Sequence, residues 1–178
     1  MKRLNFASGK GSKISTQLRL FNDITNRNEN FDTLRDGVET ALEWDVAKTL
    51  KLFANYTYTD ARFDGGVFGE KEVPLVPESQ WSGGVEWAPV TDWRLRLEAT
   101  GVDKRFALND FNNIFRAENY WTMDAELRHA VPNGELYLKL NNLFDEQYSA
   151  FTTSDGISVL NLNPSPGFNL EAGVRFEI

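Results

Sequence analysis

The side chains best suited to holding a ligand lie in two stretches that mix polar and aromatic residues. Amide, carboxylate and guanidinium groups beside aromatic rings can hydrogen-bond to an organic ligand and stack on it. The first stretch contains Asn109, Asp110, Phe111, Asn112, Asn113 and Arg116, and the second contains Phe151, Thr152, Thr153 and Asp155. Both stretches also fit ordinary solvated loop sequence, so a ligand site at these residues is a hypothesis.

Catalytic chemistry has little support in the sequence. There is no cysteine, and the single histidine, His129, has neither a second histidine for a metal site nor a serine set beside it. We place His129 in phase with the charged side chains at a strand end and expect it to be a solvated turn residue. The sequence therefore predicts no enzyme, no metal site and no cofactor. The net charge of −7 argues against a nucleic-acid partner.

A second set of ionised residues could form ion pairs along a protein wall. They recur at every second position with apolar residues between them, which is the period of a β-strand with one apolar and one charged face. The set comprises Arg94, Arg96, Glu98, Asp124, Glu126, Arg128, Glu171 and Arg175. We expect these side chains to share one face of a sheet.

The alternation is clearest in residues 168–178, where every second side chain is apolar and none of the others is. Eleven residues of about 3.3 Å each, tilted by about 45°, rise about 25 Å, which is the height of the apolar band of an outer-membrane β-barrel. Strand ends elsewhere carry Trp44, Trp87, Trp93, Tyr120 and Trp121, where such a barrel places its interfacial aromatic residues.

The whole pattern predicts an all-β fold, an antiparallel up-and-down meander of about eight strands that forms a segment of a transmembrane β-barrel. The predicted strands are 13–21, 37–46, 49–62, 79–88, 93–105, 120–130, 135–142 and 168–178, after a flexible stretch at 1–12. Tight turns at 45–49, 88–92 and 130–134 alternate with long loops at 22–36, 63–78, 106–119 and 143–167. Short turns at one end and long loops at the other are typical of outer-membrane barrels.

Several motifs occur in an order that resembles one family. The stretch from Asn141 to Tyr148, with Asn-Leu-Phe-Asp at its centre, is similar to the segment that closes the penultimate strand of TonB-dependent outer-membrane receptors. The other matching pieces are Gly37-Val38-Glu39, Tyr56 to Ala61, Val73 to Pro77 and Pro164 to Gly167. Two positions depart from the family pattern: Ile178 stands where an aromatic residue usually ends the chain, and Phe168 stands where Arg is frequent.

The resemblance implies that residues 13–178 form roughly the last third of a 22-stranded receptor barrel without its plug domain. It implies an outer-membrane location in a Gram-negative cell and contact with outer-membrane lipid, although residues 1–13 lack the apolar region of a signal peptide. The implied activity is energised uptake of a ferric siderophore or a similarly large nutrient. The implied partners are the plug and the other barrel strands, with TonB reached only through the N-terminal part. The paired charges would then face the plug, and the two polar and aromatic stretches would lie in extracellular loops.

Two other interpretations fit the same alternation. One is a small outer-membrane β-barrel that closes on itself, and the other is a soluble, lipocalin-like carrier. A carrier points its apolar side chains into a calyx, whereas a membrane barrel points them towards lipid. The side of the sheet on which the apolar residues are covered therefore separates these alternatives.

Overall fold

The computed structural model describes residues 3–10, 14–22, 27–158 and 160–176. Regular structure is almost entirely strand, with one short 3-10 helix at Gly66–Phe68. The strands in chain order are β1 (Arg3–Lys10), β2 (Ile14–Asn22), β3 (Arg27–Ala47), β4 (Leu50–Phe63), β5 (Ser79–Trp87), β6 (Trp93–Val102), β7 (Arg105–Phe106), β8 (Arg116–Ala117), β9 (Tyr120–Val131), β10 (Gly134–Asn141), β11 (Phe151–Ser154), β12 (Leu160–Asn163) and β13 (Asn169–Phe176). Within these described ranges, no helix has the length and apolar character needed to cross a membrane.

One antiparallel sheet contains most of the strands. Its order is β1, β3, β4, β5, β6, β9, β10 and β13, and β2 also pairs with β3. Because β1 and β2 pair with different halves of the same strand, the sheet has eight positions. The predicted all-β antiparallel meander of about eight strands is confirmed. The pairs β7–β8 and β11–β12 form two small hairpins outside this sheet.

The N-terminal third differs from the sequence prediction. Residues 3–10, within the stretch expected to be flexible, form β1, and the long loop expected at 22–36 is largely the hairpin of β2 and β3. Strand β3 has 21 residues, which at about 3.4 Å each span about 70 Å. Residues 27–36 are polar at most positions of both parities, so they give no hydrophobic period from which a strand could be predicted. The predicted ends at Lys13, Glu177 and Ile178 lie outside the described residues.

The two faces of the sheet differ in chemistry. On one, called here the apolar face, register partners are apolar from strand to strand, as with Leu95, Leu127 and Leu138. On the other, called the charged face, the partners are ionised or polar. The apolar face remains open to solvent in this chain: Leu170 is 60% exposed and Phe176 is 72% exposed. Within the described residues, no second layer therefore covers the apolar face.

Aromatic residues form two bands on the apolar face. One band follows the short turns and includes Trp44, Trp87 and Trp93, and the other lies towards the long loops and includes Trp81 and Trp121. Trp81 and Trp87 are six residues apart in β5, about 20 Å along the strand. Tyr120, which the sequence predicts among these aromatic residues, lies instead on the charged face, in phase with Asp124 and Glu126. Its ring stacks on that of Tyr148 with 4.1 Å between the centroids.

The buried core lies at the loop end of the sheet. Loops 64–78 and 103–119 fold over the charged face of β3 and β4, where Phe31 and Phe63 pack against Phe68 and Phe111 with centroid distances of 5.1 to 6.0 Å. Phe63 and Phe111 are fully buried. We call this packed unit the loop layer. It fixes the loops relative to the sheet and so positions their polar side chains.

Candidate functional site

Arg96 occupies the centre of the charged face in β6. Its guanidinium contacts Glu86 on β5, and its Nη2 lies 2.9 Å from Glu98 Oε2. The same group lies 4.1 Å from the ring centroid of Phe53. The Arg96 side chain is about one third exposed, so each ion pair contributes only about 0–1 kcal/mol to stability. Glu86 and Glu98 already neutralise the Arg96 charge, so these three residues form a polar surface rather than a free cationic site.

A second group of ion pairs spans β9, β10 and β13. Arg128 Nη2 lies 2.8 Å from Glu126 Oε2, and Arg128 Nη1 lies 3.9 Å from Glu135 Oε1, which also contacts Arg175. Lys139 Nζ lies 3.9 Å from Glu126 Oε1. Charges of opposite sign therefore meet across three neighbouring strands.

All eight ionised residues predicted to share a face do so in the register of the sheet. The remaining three are Asp124, which accepts the backbone N–H of Asn142 at 2.7 Å, Glu171, which accepts the Tyr137 hydroxyl at 3.0 Å, and Arg94. Arg94 is exposed and lies opposite Arg128 in the register. The charged face thus offers donors and acceptors of both signs rather than a site for one ion.

His129 was predicted on the wrong face. It lies two residues after Leu127 and therefore on the same, apolar face of β9. Its ring stacks on Trp93 with 4.3 Å between the centroids. Its Nδ1 lies 3.3 Å from the Asp92 carbonyl oxygen. Counting by twos from Leu127 in the sequence would have placed it correctly.

Three glycines lie directly opposite aromatic residues whose rings cover them. A Cβ at Gly84 would meet the Phe53 ring at 2.6 Å, and one at Gly173 would meet the Tyr137 ring at 2.6 Å. On the apolar face, a Cβ at Gly101 would meet the Trp81 ring at 2.2 Å. Glycine therefore lets each ring lie flat across the neighbouring strand. The three pairings follow from the register of the strands.

The first polar stretch is built into the loop layer more than its sequence suggested. Asp110 is fully buried, and its carboxylate accepts the N–H groups of Ile114 at 3.0 Å and Phe115 at 2.6 Å. The Asn113 amide accepts the N–H of Glu72 at 2.8 Å and donates to its carbonyl oxygen at 3.0 Å. Asp110 therefore closes a turn within loop 103–119, and Asn113 joins that loop to loop 64–78. Their polar atoms are therefore occupied by the protein itself.

The exposed members of that stretch are Asn112 and Arg116, whereas Asn109 is partly buried with a positive φ of 68°. Arg116 Nη2 lies 3.4 Å from Glu72 Oε1, and its guanidinium lies 4.7 Å from the Phe106 ring centroid. Within the described residues, no group of three or more His, Asp or Glu side chains is arranged to hold a metal ion.

The second polar stretch forms the hairpin of β11 and β12, and the structure brings it beside the first. Leu108 donates its N–H to the Thr152 carbonyl oxygen at 2.9 Å and forms a bridge with Thr153. Asp155 closes the hairpin turn, because its Oδ1 accepts the N–H of Ile157 at 2.9 Å and of Ser158 at 2.7 Å. Phe151 remains exposed, whereas Thr152 is buried. One surface therefore combines both stretches.

Arg105 is a functional candidate that the sequence did not indicate. It is only 4% exposed, and its Nη2 donates to the carbonyl oxygens of Ser149 at 2.9 Å and Ala150 at 2.8 Å. Its guanidinium also lies 5.5 Å from the Tyr120 ring centroid. Arg105 therefore holds the residues just before the second polar stretch against the start of β9. Arg105 is the last residue of the predicted strand 93–105. Its position in the sequence pattern does not distinguish it from a solvent-exposed arginine.

At the end of β4 next to loop 64–78, Arg62 and Asp60 form an exposed ion pair. Arg62 Nε donates to Asp60 Oδ1 at 2.8 Å, and this hydrogen bond and charge raise the pKa of the Arg62 guanidinium above its ordinary value. The arginine therefore stays charged, and it does not provide a proton-transfer group.

Comparison with known proteins identifies the sheet. A family model for the TonB-dependent receptor-like β-barrel matches residues 10–143. The chain belongs to the TonB-dependent receptor β-barrel family. The resemblance noted in the motifs is confirmed, and the structure gives the physical role of one of them.

Several solved receptors and transporters contain the same fold over part of their length. The siderophore receptor PiuA from Acinetobacter baumannii is 21% identical, with a TM-score of 0.74 over 97% of this chain and 26% of that one. The ferric yersiniabactin uptake receptor FyuA from Yersinia pestis is 22% identical, with a TM-score of 0.70 over 83% of this chain and 24% of that one. The copper transporter OprC is 19% identical, with a TM-score of 0.78 over 97% and 28%. This chain therefore spans about a quarter of their length.

The TonB-dependent receptor motif from Asn141 to Tyr148 fastens the last loop. Asn142, at a positive φ of 51°, accepts the N–H of Glu146 and donates to its carbonyl oxygen, both at 2.9 Å. Asp145 Oδ1 accepts the N–H of Phe168 at 2.8 Å, and a Cβ at Gly167 would lie 2.3 Å from that oxygen. The motif therefore ties the end of β10 to the start of β13.

Proposed function

We propose that the chain is the C-terminal barrel portion of an outer-membrane TonB-dependent receptor whose complete form imports a ferric siderophore or a similarly large nutrient. The observation that carries this proposal is the open apolar face, bounded by two aromatic bands, in a sheet that belongs to this family. Energy for uptake would come from TonB, which contacts a part of the receptor outside this chain. The chain alone would not transport.

The apolar face would contact outer-membrane lipid. Covering a side chain such as Leu170 or Phe176 contributes about 1.5–3 kcal/mol, and the described residues provide no second layer on that side. The packed loop layer lies on the opposite, charged face. This arrangement favours a membrane barrel segment over a carrier, because a carrier covers its apolar residues inside a calyx.

The charged face would contact the plug domain and water in the barrel lumen. Its side chains are polar, partly exposed and of both signs, which suits a hydrated protein surface better than a single small ion. The residues proposed for this contact are Arg94, Arg96, Glu98, Asp124, Glu126, Arg128, Glu171 and Arg175.

The ligand would meet the exposed rim of the loop layer. Asn112, Arg116 and Phe151 are exposed and combine an amide, a cation and an aromatic ring. Asn109 and Thr153 lie beside this rim, and Asp155 shapes its hairpin. Asp110 and Asn113 would position the loops rather than contact the ligand, because their polar atoms already bind backbone groups.

Uptake by the complete receptor tests this proposal. The full coding region is expressed in a Gram-negative strain that lacks its own siderophore receptors, and growth is measured under iron limitation with a panel of ferric siderophores. We expect growth with at least one siderophore and no growth in a matched strain without TonB. Growth that is independent of TonB would contradict the proposal.

The 178-residue chain itself separates the two alternatives. A folded, monodisperse protein in buffer without detergent would support a soluble carrier. If the chain alone, in detergent, changes its gel mobility on boiling, that result would support a small closed barrel. We expect neither, because the outer strands of the sheet find no partner among the other strands that the structure describes.

A further inference from the structure

One row of register partners on the charged face carries charges of alternating sign across the sheet. Each member lies directly opposite the next on the neighbouring strand. From β3 to β13 the row reads Asp45, Lys51, Glu86, Arg96, Glu126, Lys139 and Glu171. Charged residues make up 25% of the chain, so composition does not account for seven consecutive charges of alternating sign. We call this set the charge row.

The flanking rows do not alternate in this way. Towards the long loops, Glu98 lies opposite Asp124, and towards the short turns, Arg94 lies opposite Arg128. The alternation is therefore a property of one row. Opposite charges on directly facing strand residues are favourable, and like charges are unfavourable, by similar amounts.

Glu171 ends the charge row at an open edge. Strand β13 pairs only with β10 among the described strands, and seven of its eight residues are exposed. Lys139 flanks Glu171 on one side, and none of the described strands flanks it on the other. Four residues further along β13, Arg175 contacts Glu135 on β10 and likewise faces the open edge on its other side. Both ionised side chains of β13 lack their second neighbour.

We propose that the strand that covers this edge in the complete receptor continues both charge pairings, with Lys or Arg opposite Glu171 and Asp or Glu opposite Arg175. This inference rests on the proposed function, since only a barrel must cover the edge: an unpaired backbone group in hydrocarbon costs several kcal/mol. The chain spans 26% of the PiuA receptor, so the covering strand comes from the rest of the receptor polypeptide.

Antiparallel pairing converts this proposal into a sequence pattern. The residue opposite Arg175 precedes the residue opposite Glu171 by four positions, and the residues opposite Val174 and Ala172 lie on the apolar face. The covering strand therefore reads acidic, apolar, any residue, apolar, basic. A strand with the two charges exchanged would place like charges opposite each other at both positions.

Peptide capture in detergent micelles tests the pattern. The chain has no cysteine, so the Ala172→Cys variant carries one thiol at the edge. Two synthetic strand peptides, identical except for exchanged acidic and basic positions, carry a cysteine at the apolar position opposite residue 172. We expect mixed disulfide with the acidic-to-basic peptide to exceed that with the exchanged peptide by at least about 4-fold, because at each of two positions a favourable pair of about 0.2–1 kcal/mol is replaced by an unfavourable pair of similar size.

The matched control is the double variant Glu171→Lys with Arg175→Glu in the same cysteine background. It leaves the net charge unchanged and should invert the peptide preference. Equal capture of both peptides, an unchanged preference in the double variant, or no capture while circular dichroism reports an intact sheet would each refute the proposal.

Disulfide mapping in the complete receptor gives a second test that does not need the isolated chain to fold. Cysteines scanned along the first barrel strand locate the partner of Ala172→Cys and therefore the residue opposite Glu171. A basic residue there supports the proposal, and a neutral or acidic residue overturns it. Uptake of a siderophore does not depend on this result, so the two proposals fail separately.

Discussion

Gly84→Ala should destabilise the sheet although alanine adds only one methyl group. A Cβ at Gly84 would lie 2.1 Å from the Leu97 carbonyl oxygen, 2.6 Å from the Phe53 ring and 3.0 Å from the Glu98 Cα. Two of these three neighbours are backbone atoms, which cannot turn away as a flexible side chain can. Overpacking of this kind typically costs about 1–3 kcal/mol. Displacing Phe53 would also weaken its contact with Arg96, worth about 0.5–1 kcal/mol.

Against this, replacing glycine by alanine removes freedom from the unfolded chain and contributes about 0.4–1 kcal/mol to stability. The clash is larger, so we expect a net loss of about 1–3 kcal/mol in the free energy of unfolding. The measurement is urea unfolding of the complete receptor in detergent micelles, followed by tryptophan fluorescence. In the complete receptor the sheet has all of its neighbouring strands.

Gly83→Ala is the matched control one residue away. Its Cβ would lie at 3.4 Å or more from every neighbouring atom, on the opposite face of the same strand. We expect it to be neutral or to stabilise the protein by up to about 1 kcal/mol. If the two alanine variants unfold at the same urea concentration, the argument that Gly84 is required by the Phe53 ring and the Leu97 carbonyl is refuted.

Three further predictions concern the loops and the charged face. Asn113→Ala removes both hydrogen bonds to Glu72 and should cost about 1–3 kcal/mol, seen as faster amide hydrogen exchange in loop 64–78 with unchanged exchange in β9. Asp145→Ala leaves the Phe168 N–H without its acceptor and should speed limited proteolysis between β12 and β13, whereas Asp145→Asn, which keeps an oxygen acceptor, should be closer to the native chain. Arg96→Met removes two partly exposed ion pairs and the contact with the Phe53 ring and should cost about 0.5–3 kcal/mol at low salt and less at 1 M salt; a loss well above about 3 kcal/mol would show that the charged face depends on this charge.

The charged face could be predicted from the sequence because period-2 alternation specifies which residues share a side. This alternation alone places Arg96, Glu126 and Glu171 on one face. Their partners across strands depend on the register, which the tight turns and the pairing of each strand determine. That is why the ion pairs, the charge row and the covered glycines emerged only from the structure.

The loop layer could not be predicted, because its order comes from contacts between segments distant in sequence. Asp110 and Asn113 look like solvated polar loop residues, yet both satisfy backbone groups of folded loops. Phe31 lies in a polar stretch without alternation, but it packs against Phe63 and Phe111 in the core. A polar residue in a loop therefore carries no sequence signal that separates ligand contact from loop construction.

The position of the core restricts how a ligand could act on the loops. Opening loops 64–78 and 103–119 would expose Phe63 and Phe111, which are fully buried, and truncation of a buried phenylalanine typically costs about 3–5 kcal/mol. A ligand would have to offset a loss of that size to open the aromatic cluster. Contact at the exposed Asn112, Arg116 and Phe151 involves no such cost. We therefore expect ligand binding to use the loop layer as a rigid platform, with any movement confined to segments outside the Phe31, Phe63, Phe68 and Phe111 cluster.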